Sequence, residues 1–320
     1  MKQLLIINII IYLSFISCET IIDVNIPNSE PKLVINSYII SEQSFPAKNR
    51  FLHVSNSMDG VGYMSDFDST FVSGINNAEA IIYEIENQNI IEEFPLSFDE
   101  ECNCYIDFTN NFIPKEQTTY ELNVSAEGFD MISAIETTPS KPNYIIDNFE
   151  LITPLDSEEE GELCNFNIIL QDPPNKDNYY RLNIVLENFT NGKDISCSYE
   201  VDDPSFLIPI NRYSSSNSYY QGKNGYFTDE IFDGEERNLY VSVNKENKKK
   251  YNSIRVVILA YSKNLYEFNA TRKEQRRETG NILFNSEPVF IKSNINGGYG
   301  IFGAKTTSEK IYIAGQWFDN

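Results

Sequence analysis

Thr119-Tyr-Glu-Leu-Asn-Val-Ser125 alternates polar and apolar side chains without a break. Successive side chains of a β-strand point to opposite faces, so this run predicts a strand with one buried face. Similar runs, rich in β-branched and aromatic residues, recur along the chain with turn residues between them. They are residues 32–40, 51–55, 78–84, 104–108, 131–137, 164–170, 179–186, 238–243, 253–260 and 310–315. Many short strands at this spacing are typical of β-sandwiches.

The prolines of Thr138-Pro-Ser-Lys-Pro142 indicate a domain boundary, because proline cannot donate a hydrogen bond within a central strand. A chain of 320 residues also favours two domains at roughly 150 residues each. The prediction is an all-β protein with two Ig-like β-sandwich domains. The N-terminal one spans residues 32–138, and the C-terminal one spans residues 139–320 and includes one C-terminal helix.

That helix is predicted over residues 263–279. Leu265, Phe268, Arg272 and Gln275 follow a helical repeat, and Gly280 is a stop signal. Its segment 272–277 is the most basic stretch of the chain.

The composition excludes several classes of function. Lys+Arg total 25 against 47 Asp+Glu, a net charge of −22, which argues against nucleic-acid binding through a basic face. The one histidine, His53, rules out a histidine-rich zinc site within one chain, and its strand pattern predicts a place on a strand surface. With 41% hydrophobic residues, the chain can bury a sizeable core.

The N-terminus is typical of an exported lipoprotein. Residues 1–17 read as a signal peptide, because the apolar run of residues 4–16 is shorter than the ~20 residues that cross a bilayer. Ser17-Cys18 then resembles the end of a bacterial lipobox, which predicts lipid attachment at Cys18. Residues 18–31 form a polar tether. The alternatives are an ordinary secretory signal or an uncleaved anchor.

Four further cysteines allow disulfides in an exported protein. Cys164–Cys197 is the pairing that we expect, with free buried thiols as the alternative. Cys102 and Cys104 make a poor pair, because residues i and i+2 of a strand lie about 7 Å apart.

Three tyrosines indicate a binding loop. Tyr219, Tyr220 and Tyr226 lie in or beside the polar stretch 214–225, and tyrosines on flexible loops are common in binding surfaces. The alternative is a solvated loop.

Acidic residues beside Gly234 are a candidate calcium site. Asp229 and Asp233, with Glu230 between them, supply the oxygen ligands that Ca²⁺ prefers, although the spacing fits no EF-hand. The alternative is an ordinary Asp-Gly turn. No other cofactor is expected. The glycines of residues 297–303 favour close packing at a sheet edge or bulge over a phosphate-binding loop, because a strand follows them.

Four stretches together resemble a Bacteroidetes outer-membrane lipoprotein family that carries a domain of unknown function, DUF4249. They are Cys18–Asp23 with Glu30–Ile35, Val72–Ile82, Phe227–Gly234 and Ser293–Ala304. The resemblance implies a mostly β protein anchored by lipid to the outer membrane and often associated with TonB-dependent receptors. It brings no catalytic residues.

We therefore expect a non-enzymatic accessory or ligand-binding subunit, in partnership with a TonB-dependent transporter in nutrient uptake. One alternative is a stand-alone surface lipoprotein that binds a glycan or peptide. Another is a hydrolase based on two carboxylates, which needs a pair of Asp/Glu residues in a cleft.

Overall fold

A computed structural model describes residues 30–41, 52–57, 74–188, 194–207, 219–279 and 290–319. The predicted signal peptide, Cys18 and almost all of the tether lie outside these residues. Within them the chain consists almost entirely of β-strands, so the all-β prediction is confirmed. None of the helices in this part of the chain has the length and apolar character needed to cross a membrane.

The first half of the chain contributes seven strands to the described structure. They are β1 (Leu33–Ile40), β2 (Leu52–Asn56), β3 (Glu79–Glu86), β4 (Asn89–Asp99), β5 (Cys104–Ile106), β6 (Thr119–Ser125) and β7 (Ile132–Thr137).

Within the described residues, the second half contributes eleven strands, a short 3-10 helix (Pro204–Leu207) and the helix α1 (Lys263–Thr279). The strands are β8 (Asn143–Leu151), β9 (Gly161–Gln171), β10 (Tyr179–Glu187), β11 (Ile195–Ser196), β12 (Ser198–Asp202), β13 (Tyr219–Gly222), β14 (Asn224–Thr228), β15 (Glu236–Lys245), β16 (Ser253–Tyr261), β17 (Tyr299–Ile313) and β18 (Gln316–Asp319). The helix has the predicted bounds.

Two sheets account for all these strands. The larger one has the order β11-β10-β16-β17-β1-β2-β5-β4-β3-β6-β7, with β14 beside β10 and β18 beside β17. The smaller one has the order β13-β12-β15-β9-β8. The larger sheet joins both halves of the chain, because β1 pairs in parallel with β17 from Val34↔Tyr299 to Ile40↔Lys305.

Two large hydrophobic cores underlie the sheets. One contains Leu33, Tyr120 and Phe302, and the other contains Phe166, Leu182 and Val256. The strand β17 serves both, since Phe302 packs in the first core and Tyr312 packs against the second. The described residues from Pro31 onward belong to one compact unit, so the predicted boundary at residue 139 does not divide the sheet.

The glycine-rich stretch lies in a central strand, which corrects the expectation of a sheet edge. The strand predicted over residues 310–315 begins at Tyr299 instead, as β17, and it runs between β1 and β16. A Cβ atom on Gly300 would lie 1.8 Å from the carbonyl oxygen of Ile35, and one on Gly298 would lie 2.6 Å from that of Leu33. Glycine is therefore required where the backbones of β1 and β17 approach each other.

The expected disulfide is wrong. Cys164 and Cys197 are free buried thiols, and the disulfide joins Cys102 to Cys104. The two residues of the pair are not on one extended strand, because Asn103 has a φ of 50° within a turn and brings the Cα atoms to 5.2 Å. Burial raises the pKa of both free thiols, that of Cys197 to about 12, which keeps them protonated and unreactive.

Candidate functional site

A cavity of about 480 Å³ lies against the outer face of the larger sheet, beside α1. Six neighbouring strands and the helix supply its walls. The described lining residues are Asn36, Tyr38, His53, Arg181, Tyr226, Tyr261, Leu265, Phe268, Asn269, Arg272, Ile301 and Lys305. Volumes of this size are typical of small-molecule sites.

The alternation of the strands explains why these side chains share one face. On β10, Tyr180 and Leu182 point into the core, so Arg181 between them points outward. On β1, Leu33 and Ile35 are buried inward, so Asn36 and Tyr38 lie on the cavity side. Burial of the inner face therefore fixes the polar residues of the outer face.

The pairing register brings the outer residues of different strands together. Arg181 lies opposite Tyr226 on β14, and Tyr261 lies opposite Lys305 on β17. Asn36 lies opposite both Ile301 and His53. The cavity thus depends on strands from both halves of the chain.

Gly303 allows the helix to form the remaining wall. A Cβ atom at this position would lie 2.7 Å from the Cβ of Leu265 on α1. Ser262 begins the helix: its Oγ accepts a hydrogen bond from the N–H of Leu265 at 3.4 Å and donates one to the Oε2 of Glu136 at 2.8 Å. The helix is thereby held against the sheet, and its residues Leu265, Phe268 and Arg272 face the cavity.

Three cations line the cavity, and each stacks on an aromatic ring of the same lining. The distance from Lys305 Nζ to the ring centroid of Tyr38 is 4.6 Å. The corresponding distances are 5.3 Å from Arg181 Cζ to Tyr226 and 5.5 Å from Arg272 Cζ to Phe268. Such stacking holds the charged group by cation–π attraction and restricts its conformations.

Two of the other polar lining residues, His53 and Tyr261, take part in hydrogen bonds. The Nδ1 atom of His53 lies 3.1 Å from the carbonyl oxygen of Asn103, and since a carbonyl only accepts, this nitrogen carries a proton. Arg181 Nη1 donates to the hydroxyl of Tyr261 at 3.3 Å. Burial raises the pKa of Tyr261 to about 12, so this phenol is neutral at physiological pH.

The structure separates the three tyrosines of the predicted binding loop. Tyr226 lines the cavity, on β14 of the larger sheet. Tyr219 and Tyr220 belong to β13 of the smaller sheet, where they pair with Asp202 and Val201. The expectation of one loop is wrong because Tyr219–Gly222 finds a strand partner in β12; the side chains of Tyr219 and Tyr220 are outside the described part of the structure.

Arg181, Lys305 and Tyr38 line the cavity, and nothing in the sequence singles them out as site residues. The alternation of their strands indicates an outward position for Arg181 and Tyr38, but a cavity arises only when distant strands become neighbours. His53 does lie on a strand surface, as predicted, and that surface is part of the cavity.

The predicted acidic cluster has a third member, Asp172, which directly follows β9. Carboxylate oxygens of Asp172, Asp229 and Asp233 all lie within 4.8 Å of one another. Asp172 accepts hydrogen bonds from the Tyr180 hydroxyl at 2.7 Å and the Gly234 N–H at 2.9 Å.

Asp229 has protein donors of its own. It accepts from the N–H of Asn178 at 2.8 Å and from its side-chain amide at 3.0 Å. Burial raises the pKa of Asp229 to about 6. The cluster is thus a partly buried hydrogen-bond network that joins two turns. A calcium titration of the melting temperature tests whether it also binds Ca²⁺.

Comparison with known proteins gives one strong match. Residues 19–311 match a family described as "Domain of unknown function (DUF4249)". No curated protein matches the sequence.

Similar solved structures are remote. The C-terminal domain of the Streptococcus agalactiae AgI/II polypeptide BspA is 9% identical, with a TM-score of 0.19, over 73% of this chain and 96% of that one. A second structure, titled BspA_C_WT, is 7% identical with a TM-score of 0.20, over 73% and 95% of the two chains. Similarity at this level supports no conclusion about fold or function.

Proposed function

This chain belongs to the DUF4249 family, and from that premise we propose that it is a lipid-anchored lipoprotein of the outer membrane that binds a small molecule in the cavity beside α1. The binding is non-enzymatic, and the ligand leaves unchanged. We further propose that the protein delivers its ligand to a TonB-dependent transporter.

The cavity is the observation that carries the binding proposal. Three of its twelve described lining residues, Leu265, Phe268 and Ile301, are apolar, and the other nine bring convergent polar or charged groups. In ligand sites, apolar and aromatic contacts supply affinity, and convergent polar groups fix the orientation of the ligand. Its rigid floor consists of strands, which hold side chains more precisely than loops do.

The N-terminal sequence supports the location. Cys18 follows the apolar run of residues 4–16, with only Ser17 between them, and that run is too short to span a bilayer. Several acyl chains on one residue give stable anchoring, whereas one chain is marginal. We also propose the finer description of the fold as two Ig-like sandwiches, which the two hydrophobic cores support; Phe302 and Ala304 of β17 lie in the first core, so that sandwich draws on residues beyond the range 32–138.

Ligand retention tests the proposal. The full chain, purified in an uncharged detergent, is incubated with a small-molecule extract of its own cells, washed and denatured, and released compounds are identified by mass spectrometry. We expect the wild type to retain a compound that Asn36→Trp does not, because the indole fills the space that the exposed Asn36 lines. Asn238→Trp, at an exposed position on β15 of the smaller sheet, is the matched control.

Equal retention by the wild type and Asn36→Trp would contradict the cavity as the binding site. Recovery of a chemically altered compound would contradict the non-enzymatic assignment. For the transporter, co-purification from detergent extracts should return an outer-membrane receptor, and its repeated absence from tagged full-length preparations would count against that partner.

A further inference from the structure

We propose that the ligand of this cavity is an anion, in which a carboxylate or phosphate group is attached to a flat apolar group. This inference rests on the proposed function and specifies the chemical class of the ligand. It follows from the charges, ring contacts and walls of the cavity.

The charge of the cavity is opposite to that of the protein. The chain holds nearly two acidic residues for each basic one, 47 against 25. The described lining nevertheless contains Arg181, Arg272 and Lys305 and no carboxylate. Clefts lined by one sign of charge concentrate counter-ions of the other sign. The three cations therefore make this cavity attractive to an anion, although the protein as a whole is acidic.

The three cations come from three different elements of the fold. Arg181 lies on β10, Lys305 on β17 and Arg272 on α1. Two strand spacings, or about 10 Å, separate β10 from β17, so the long side chains can reach one ligand from opposite sides. Arg272 forms no ion pair with any residue of the described ranges.

The geometry of the donors favours an oxyanion. A guanidinium presents parallel N–H groups that match the two oxygens of a carboxylate or phosphate, and Lys binds either as a point charge. Arg181 Nη1 already donates to the hydroxyl of Tyr261, so we assign the paired N–H contact with the oxyanion to Arg272, whose guanidinium lies over Phe268.

The remaining walls favour a flat apolar group beside the anion. Phe268, Tyr38 and Tyr226 are partly exposed and present aromatic surface in the same cavity as the three cations. Aromatic rings prefer offset or edge-on contacts with other rings, which a planar group can satisfy between these walls. A naked inorganic ion would leave this surface unused.

Calorimetric titration of the full chain in uncharged detergent tests the inference. The probes are benzoate, phenyl phosphate, inorganic phosphate and the neutral benzamide, which has nearly the shape of benzoate. We expect benzoate or phenyl phosphate to bind at least about tenfold more tightly than benzamide, because charge-assisted hydrogen bonds are lost with the charge. The tighter of the two anions identifies the carboxylate or the phosphate as the natural group, and inorganic phosphate should bind more weakly than phenyl phosphate.

Matched variants assign the effect to the cavity. Arg272→Gln should weaken binding of the tighter anion about tenfold. Lys273→Gln removes the same charge from the next residue of the helix, outside the described lining, and should change the affinity less than about twofold.

Three results would overturn the assignment: benzamide binding as tightly as both anions, equal weakening by both variants, or no binding of either aromatic anion at millimolar concentration. If inorganic phosphate bound as tightly as phenyl phosphate, the part of the proposal that gives the ligand a flat apolar group would be wrong. Any of these results is compatible with a wild type that retains a neutral compound and an Asn36→Trp variant that does not. In that case the anion assignment fails and the proposed function stands. Equal retention by those two proteins instead removes the proposed function itself.

Discussion

Gly300 has a φ of 104° and lies against the backbone of Ile35 in the neighbouring strand. We expect Gly300→Ala to lower the free energy of unfolding by about 3 kcal/mol or more, because strain at positive φ adds to a clash with a carbonyl oxygen. Urea denaturation measures the loss.

Gly315→Ala is the control for this prediction. Gly315 also has a positive φ, 86°, but no atom lies within 4 Å of its Cβ position. Its substitution should cost about 1 kcal/mol, the backbone effect alone. Equal losses for the two variants would show that the contact between β1 and β17 is not the reason for glycine at residue 300.

Asp229 gives a second prediction at the scale of the residue. Its pKa of about 6 lies above the ordinary value of an aspartate, so the folded chain binds a proton that the unfolded chain has already lost. This contribution to stability is present below about pH 4 and is lost as the pH rises through about 6. Asp229→Asn keeps an acceptor for Asn178 and should stabilise the protein more at about pH 7 than at about pH 4.

Urea denaturation of both proteins at the two pH values measures the difference. Asp202→Asn, at an exposed position, controls for the change in net charge. A gain from Asp229→Asn that is the same at both pH values would contradict the raised pKa.

At the scale of the element, a strand can be predicted from sequence when one of its faces is buried. The strands β6, β10 and β16 have a buried inner face, and the alternation or the apolar run that it imposes predicts each of them. The strand β4 was not predicted, because its first five residues are exposed and carry no alternation. The first part of β17 was not predicted either, because its glycines indicate a turn unless a neighbouring backbone requires them.

The start of α1 gives a prediction for an element. The hydroxyl of Ser262 contacts Glu136 and the N–H groups of Leu265 and Ala304. Ser262→Ala removes a helix cap and leaves a buried carboxylate without one donor, so it should lower the free energy of unfolding by about 2–3 kcal/mol.

Ser262→Thr retains the hydroxyl and serves as the control in the same denaturation experiment. A loss for Ser262→Ala that does not exceed the loss for Ser262→Thr would contradict the role of the hydroxyl. The alanine variant should also bind the cavity ligand more weakly, because the helix forms one wall.

At the scale of the whole molecule, the order of the strands is what sequence could not supply. The pairing of β1 with β17 joins residues about 265 positions apart, as Val34↔Tyr299 shows, and no local pattern encodes it. The alternation of residues 179–186 places Arg181 on an outward face, but only this pairing order brings Lys305 into the same cavity. The same order explains why a boundary at residue 139 does not divide the sheet.

Anchoring gives a prediction for the whole molecule. Cells grown with labelled palmitate should yield a labelled wild-type chain and an unlabelled Cys18→Ala variant that leaves the membrane fraction. Acylation supplies about 0.8 kcal/mol for each buried CH₂ group, which accounts for stable anchoring by several chains. An unlabelled wild type, or a variant that stays equally well in the membrane fraction, would contradict the lipoprotein assignment.

The location of the bound molecule tests the central claim most directly. A crystal structure of the wild-type chain carrying the compound that it retains from cell extract would show where that compound lies. We expect density between α1 and the sheet, with an oxyanion within hydrogen-bond distance of Arg272, Arg181 or Lys305. Density for the compound at another surface, with only water in the cavity, would contradict the account.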